Sequence, residues 1–138
     1  MQQETQPAVE IGSRIVFTKT ISESDVYLYA GLTGDFSPNH VDEVYMSAGR
    51  YGRRIAHGTL MMGLMSAASA RLYLGRTVSL GYDRIRFTGP VFFGDTISTS
   101  YTLTHIDKEK RRAYADVECV NQDGKTVAIA TNVRAWVD

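Results

Sequence analysis

The residues best suited to chemistry lie in "TGDFSPNHVDE", Thr33 to Glu43, where a carboxylate (Asp35), a proline (Pro38) and a histidine (His40) fall within six residues. Carboxylate and imidazole together suit proton transfer, and histidine has the side chain whose unperturbed pKa lies nearest neutral pH. Pro38 fixes its own φ and pushes Ser37 towards extended conformations, so the loop is stiff and the two side chains can converge. The same pattern also fits a solvated turn between two helices. A second stretch, "IAHGTL" from Ile55 to Leu60, places Gly58 at the start of an apolar run. At the head of a helix its N–H would be one of the donors left unpaired there, reinforced by the macrodipole, and the missing side chain lets a ligand come close.

The elements around these residues follow from spacing. "SRIVFTK", Ser13 to Lys19, reads as a short strand. "SESDVYLYAGLTG" switches to helical spacing, with Ser22 as N-cap, Asp25 completing a capping box and Gly34 ending the helix just before Asp35. "VDEVYMSAG" suits a short helix and "RYGRRIAHG" a loop. "GTLMMGLMSAASARLYL", Gly58 to Leu74, is apolar or small on almost every side, which predicts a helix wrapped inside the protein. Its small residues (Gly63, Ser66, Ala67, Ala68, Ala70) would let strands approach closely.

The rest reads as β structure. A strand within "TVSLGYDRIRFTGPVFFGD" is followed by "TISTSYTLTHI", "RAYADVECVNQ" and "TVAIATNVRAWV", which are rich in β-branched and aromatic residues and mostly alternate. "QDG" at Gln122 to Gly124 supplies a hairpin turn. The predicted class is α+β, with a curled antiparallel sheet around one long central helix. That is the hot-dog architecture. Its sheet edges need covering, and dimerisation is a common remedy. Residues 1–12 read as a flexible polar arm and 13–138 as a single domain.

Composition narrows the function. The chain has 138 residues, 43% hydrophobic and 22% charged, with 15 basic and 15 acidic side chains, so no excess charge argues for nucleic acid. The N-terminus lacks a basic start and an apolar run, and no segment is a membrane span, so a cytoplasmic protein is expected. The single cysteine, Cys119, excludes an internal disulfide and alternates like a core residue. His40, His57 and His105 show no metal-ligand spacing, and the glycines form no G-x-G-x-x-G, so neither a metal nor a nucleotide cofactor is expected.

Three ordered landmarks carry a family resemblance: "YAGLTGDFSPNHVD" (Tyr29 to Asp42), "IAHGTL" and "GPVFFGD" (Gly89 to Asp95). With them the chain resembles the MaoC-like dehydratases, in particular the (R)-specific enoyl-CoA hydratases of the hot-dog fold, over nearly all of its length after residue 12. The family's asparagine before the proline is Ser37 here, and a common apolar residue before the histidine is Asn39.

The resemblance implies hydration of trans-2-enoyl-CoA to (R)-3-hydroxyacyl-CoA, or the reverse dehydration, with no added cofactor. It makes Asp35 and His40 the pair that holds and activates water, and Gly58 the donor to the thioester oxyanion. Ser66 matches a position near the reacting groups, where it would orient water or Asp35; Ser37 and Asn39 would position the loop or water. Arg50, Arg53 and Arg54 precede the glycine and are candidates to meet CoA phosphates or a substrate carboxylate; Arg84 and Arg86 are similar candidates. His57 is expected to hydrogen-bond and fix the loop. The implied partners are an acyl-CoA thioester and a second copy of the chain, as a homodimer or a dimer of dimers. Two other functions use such a scaffold: a hot-dog thioesterase, which would lack the Asp35–His40 pairing, and a non-catalytic acyl-CoA-binding subunit.

Overall fold

A computed structural model describes residues 9–138; residues 1–8, the greater part of the expected arm, lie outside the described residues. The elements run β1 (Arg14–Thr20), α1 (Glu23–Thr33), α2 (Pro38–Val41), α3 (Glu43–Ser47), α4 (Gly58–Arg71), β2 (Thr77–Phe87), β3 (Thr96–Asp107), β4 (Arg112–Val120) and β5 (Thr126–Trp136). The strands form one antiparallel sheet in the order β1-β3-β4-β5-β2, so the meander β3-β4-β5 occupies the middle and β1 and β2 form the edges.

Local chemistry explains the ends of α1. Ser22 accepts from the Asp25 N–H at 3.1 Å while the Asp25 carboxylate accepts from the Ser22 N–H at 3.0 Å, a reciprocal capping box. Gly34 ends the helix at φ 82°, in the left-handed region that glycine enters without steric cost, and its N–H returns to the Ala30 carbonyl. The chain leaves α1 sharply, and Asp35 is the next residue. Pro38 then takes the first position of α2, where its missing N–H removes nothing. The motif loop is therefore partly a single helical turn.

The core forms where α4 crosses β1, β3 and β4. Met61, Met65 and Ala68 on one face of α4 meet Ile97, Tyr101, Leu103, Val117 and Cys119 from the sheet, with Ile21 and Val26 closing the side; all are buried. The helix lies across one face of the curled sheet, as expected, and its other face is open to solvent. Thr59, Gly63, Ser66 and Ala70, at intervals of four and three residues, form an exposed stripe on the opposite face. Five strands curl around one side of the helix only, and most of its small residues lie away from the sheet.

Candidate active site

Asp35 is held by its own loop. The Ser37 hydroxyl donates to Asp35 Oδ1 at 2.6 Å and the Ser37 N–H donates to the same oxygen at 3.1 Å. These bonds, the hydroxyl's first, keep the carboxyl below the usual carboxylate range. Oδ1 is thereby occupied, while Oδ2 lies 3.8 Å from His40 Nε2. That separation exceeds a direct hydrogen bond, and the Asp35 side chain is 45% exposed, so water reaches the gap.

His40, only 8% exposed, is oriented from its other side. Its Nδ1 lies 2.8 Å from the Ile55 carbonyl oxygen. A carbonyl can only accept, so Nδ1 carries a proton, and in the neutral ring Nε2 presents a lone pair towards Asp35. The Ile55 N–H in turn donates to the Asn39 carbonyl at 2.9 Å, tying α2 to the strand-like segment before α4. That segment rests on the third landmark: the Ala56 N–H donates to Val91 O, Ile55 pairs with Phe92, and buried Asp95 accepts from the Phe92 N–H and from Gln122 Nε2. The Gly89–Asp95 landmark is thus the bracket that sets the height of His57 and Gly58.

Gly58 is the first residue of α4, and no side chain caps that helix. A Cβ at this position would stand 2.7 Å from Phe87 Cδ2, so the glycine is required by packing as well as by access. A cleft of about 450 Å³ contains His40, Gly58, Asn39, Arg50, Tyr51 and Phe87 among its lining. His40 and the free helix start therefore face one space, with Asp35 Oδ2 3.8 Å from the imidazole Nε2.

The remaining candidates separate. Ser37 and Asn39 lie at the site, the first on Asp35 and the second in the cleft wall. Ser66 is eight residues along α4 from Gly58, roughly 12 Å at the helical rise; it sits beside the Tyr82 hydroxyl, and no hydrogen bond joins it to Asp35 or His40 among the described residues. Arg54 is engaged elsewhere: its Nε donates to Glu43 Oε2 at 2.6 Å, and its Nη1 donates to Glu23 Oε1 at 3.0 Å and Tyr27 Oη at 2.9 Å. It pins α1 to α3 and is not free for a phosphate. Arg53 lies over the Phe92 ring at 4.0 Å in a neighbouring cleft of about 540 Å³, and Arg50 reaches the cleft of His40 itself. Sequence reasoning placed these arginines together; only the fold tells them apart.

Asp35, His40 and His57 bring donor atoms within 4.8 Å of one another. An ion about 2.1 Å from two imidazole nitrogens lies near both ring planes, whereas the His40 and His57 rings are stacked at 3.7 Å with 25° between planes and offer no such point between them. The arrangement suits proton transfer better than metal binding.

The chain matches the family model described as a MaoC like domain over residues 5–126. It belongs to the MaoC-like dehydratase family. Among its relatives is the (R)-specific enoyl-CoA hydratase of Rhodospirillum rubrum, 38% identical over 103 residues, which are 75% of this chain and 72% of the relative. The 3-hydroxybutyryl-CoA dehydratase of Methylorubrum extorquens is 32% identical over 111 residues, covering 80% and 71% of the two chains. A solved structure, the R-hydratase PhaJ1 from Pseudomonas aeruginosa in unliganded form, superposes with TM-score 0.85 at 33% identity, covering 94% of this chain and 84% of that one. The MaoC-like chain has the hot-dog fold expected from its sequence. Among the described residues no helix is long and apolar enough to cross a membrane.

Proposed function

We propose that this chain is a lyase that adds water to a trans-2-enoyl-CoA to give the (R)-3-hydroxyacyl-CoA, and catalyses the reverse dehydration. The observation that carries the reading is the 3.8 Å gap between Asp35 Oδ2 and His40 Nε2, in the region where Gly58 opens α4. The names of the relatives, hydratases and dehydratases of acyl thioesters, point the same way.

Water lies between Oδ2 and Nε2, donating one hydrogen bond to each. Asp35 is an exposed carboxylate whose anion Ser37 stabilises further, and it orients the water without taking its proton. His40 Nε2 accepts the proton as the oxygen bonds to C3. The C2=C3 electron pair moves towards the thioester carbonyl, and the Gly58 N–H receives the charge growing on that oxygen. The His40 imidazolium then delivers the proton to C2 on the face from which water attacked, which restores the neutral imidazole. Atoms and charge balance with no added cofactor.

Arg50 lines the cleft and Arg53 the neighbouring one, which supports a role for both in meeting CoA phosphates. The test is incubation with crotonyl-CoA, following loss of the conjugated enoyl thioester and, separately, free thiol. Enoyl loss without thiol, abolished in folded Asp35→Asn and His40→Ala, is expected. Thiol release would make the chain a thioesterase, and binding without turnover across short and long enoyl-CoAs would make it a non-catalytic acyl-CoA-binding subunit.

A further inference from the structure

His57 takes no part in the steps above, yet it is 1% exposed and touches most of what does. Its Nε2 lies 2.9 Å from the Asp35 backbone carbonyl, so this nitrogen carries the proton. Its ring stacks on the His40 imidazole, centroids 3.7 Å apart, and the Tyr29 ring meets its other surroundings edge-on at 4.7 Å. Its Nδ1 is buried without a hydrogen-bond partner among the described residues. A buried unpaired nitrogen destabilises the fold, and a phenylalanine would fill the same space without that penalty. His57 also occupies the N-cap of α4, where serine or aspartate would normally bond back to the first turn. Its side chain instead reaches across to the Asp35 loop, which leaves the amides at the start of α4 to a ligand.

We infer that His57 is the positioning residue of the acid–base pair, its Nε2–H fixing the Asp35 backbone and its ring face seating the His40 imidazole. The inference rests on the hydration reading. The charged or titratable groups nearest it are His40, Asp35 and Tyr29, and burial, the largest influence, lowers its own pKa. A neutral ring is the useful form: it donates to the carbonyl, and its π face attracts the imidazolium that His40 becomes in each turnover. A protonated ring in the same place would repel that imidazolium.

The two contacts can be separated. His57→Gln keeps a donor near the place of Nε2 but removes the ring; His57→Phe keeps the ring and removes the donor; His57→Ala removes both. With crotonyl-CoA, His57→Ala is expected to lose about a hundredfold in kcat with KM changed less than about threefold, the pattern of lost transition-state positioning. The glutamine and phenylalanine variants should each recover about tenfold of that loss. Three variants with wild-type kcat would overturn the inference while leaving the hydratase reading intact, as would a loss confined to KM or to the folded fraction.

A second readout needs no turnover. Nitrogen NMR of the wild-type protein should show His57 as the Nε2–H tautomer at neutral pH, with any protonation displaced to lower pH than in a free imidazole. The His40 ring signals should shift in His57→Ala. An Nδ1–H His57, or an unchanged His40, would overturn the inference even if the chain proved inactive on every enoyl thioester.

Discussion

At the scale of the residue, Ser37 is the finding with the widest consequence. Its hydroxyl and N–H both bond Asp35 Oδ1. Because these bonds hold the folded pKa of Asp35 below its ordinary 3.8, the anion favours the fold above that pH, and this contribution fades as pH falls through the lowered value. Ser37→Ala should therefore raise the Asp35 pKa towards the ordinary value, read by carbon NMR of the carboxyl during an acid titration. The same variant should lose about tenfold in kcat, the scale of one hydrogen bond to a charged acceptor. An unmoved titration would mean the backbone N–H suffices and the hydroxyl is incidental.

At the scale of the element, α4 must start in one place. Gly58 packs so closely on Phe87 that a methyl group has no room, the clash falling on a rigid ring. Gly58→Ala should lower stability by about 1–3 kcal/mol, the usual range for overpacking, measured by thermal or urea unfolding, and should abolish hydration. Adding Phe87→Ala should recover part of the stability while activity stays low, because a side chain still blocks the approach to the amide. Arg54 is an element-scale residue of a different kind. It is largely buried against Tyr27 and Phe93, but its carboxylate partners Glu23 and Glu43 are mostly exposed. Arg54→Met should therefore cost about 1 kcal/mol or less and leave KM for enoyl-CoA within about twofold. A large rise in KM would restore Arg54 as a phosphate ligand.

At the scale of the whole molecule, one side of the chain carries an open sheet edge and an exposed helix face. α4 covers the β1-β3-β4 part of the sheet, whereas β2 forms the far edge, with Val78, Leu80 and Phe87 about half exposed. The stripe Thr59, Gly63, Ser66 and Ala70 is exposed as well. Edge strands and apolar surface of this kind are commonly covered by a second copy. The chain should elute and scatter light as a dimer or a dimer of dimers; a stable monomer down to low micromolar concentration would show that these faces tolerate water.

Much of this was readable from one dimension because its causes are local. The capping box of Ser22 and Asp25, the Gly34 stop, Pro38 at the first turn of α2 and the alternation of β3, β4 and β5 each depend on neighbours a few residues away, so the sequence determined both the elements and the order of the landmarks. It also placed Asp35 and His40 near one another, since only five positions separate them. What it left open were long-range choices. Arg53 and Arg54 are adjacent in sequence, yet one lies on Phe92 and the other is taken up by Glu23 and Glu43, because loop direction is set by contacts with distant elements. His57 holds the loop through the Asp35 carbonyl as its position suggested, but the stacking of its ring on His40 and the exposed stripe of α4 depend on the tertiary arrangement. Tertiary structure decided these matters because the free energy of a stacked ring, a buried nitrogen or an ion-pair network depends on which distant groups arrive beside it, and no local spacing records that.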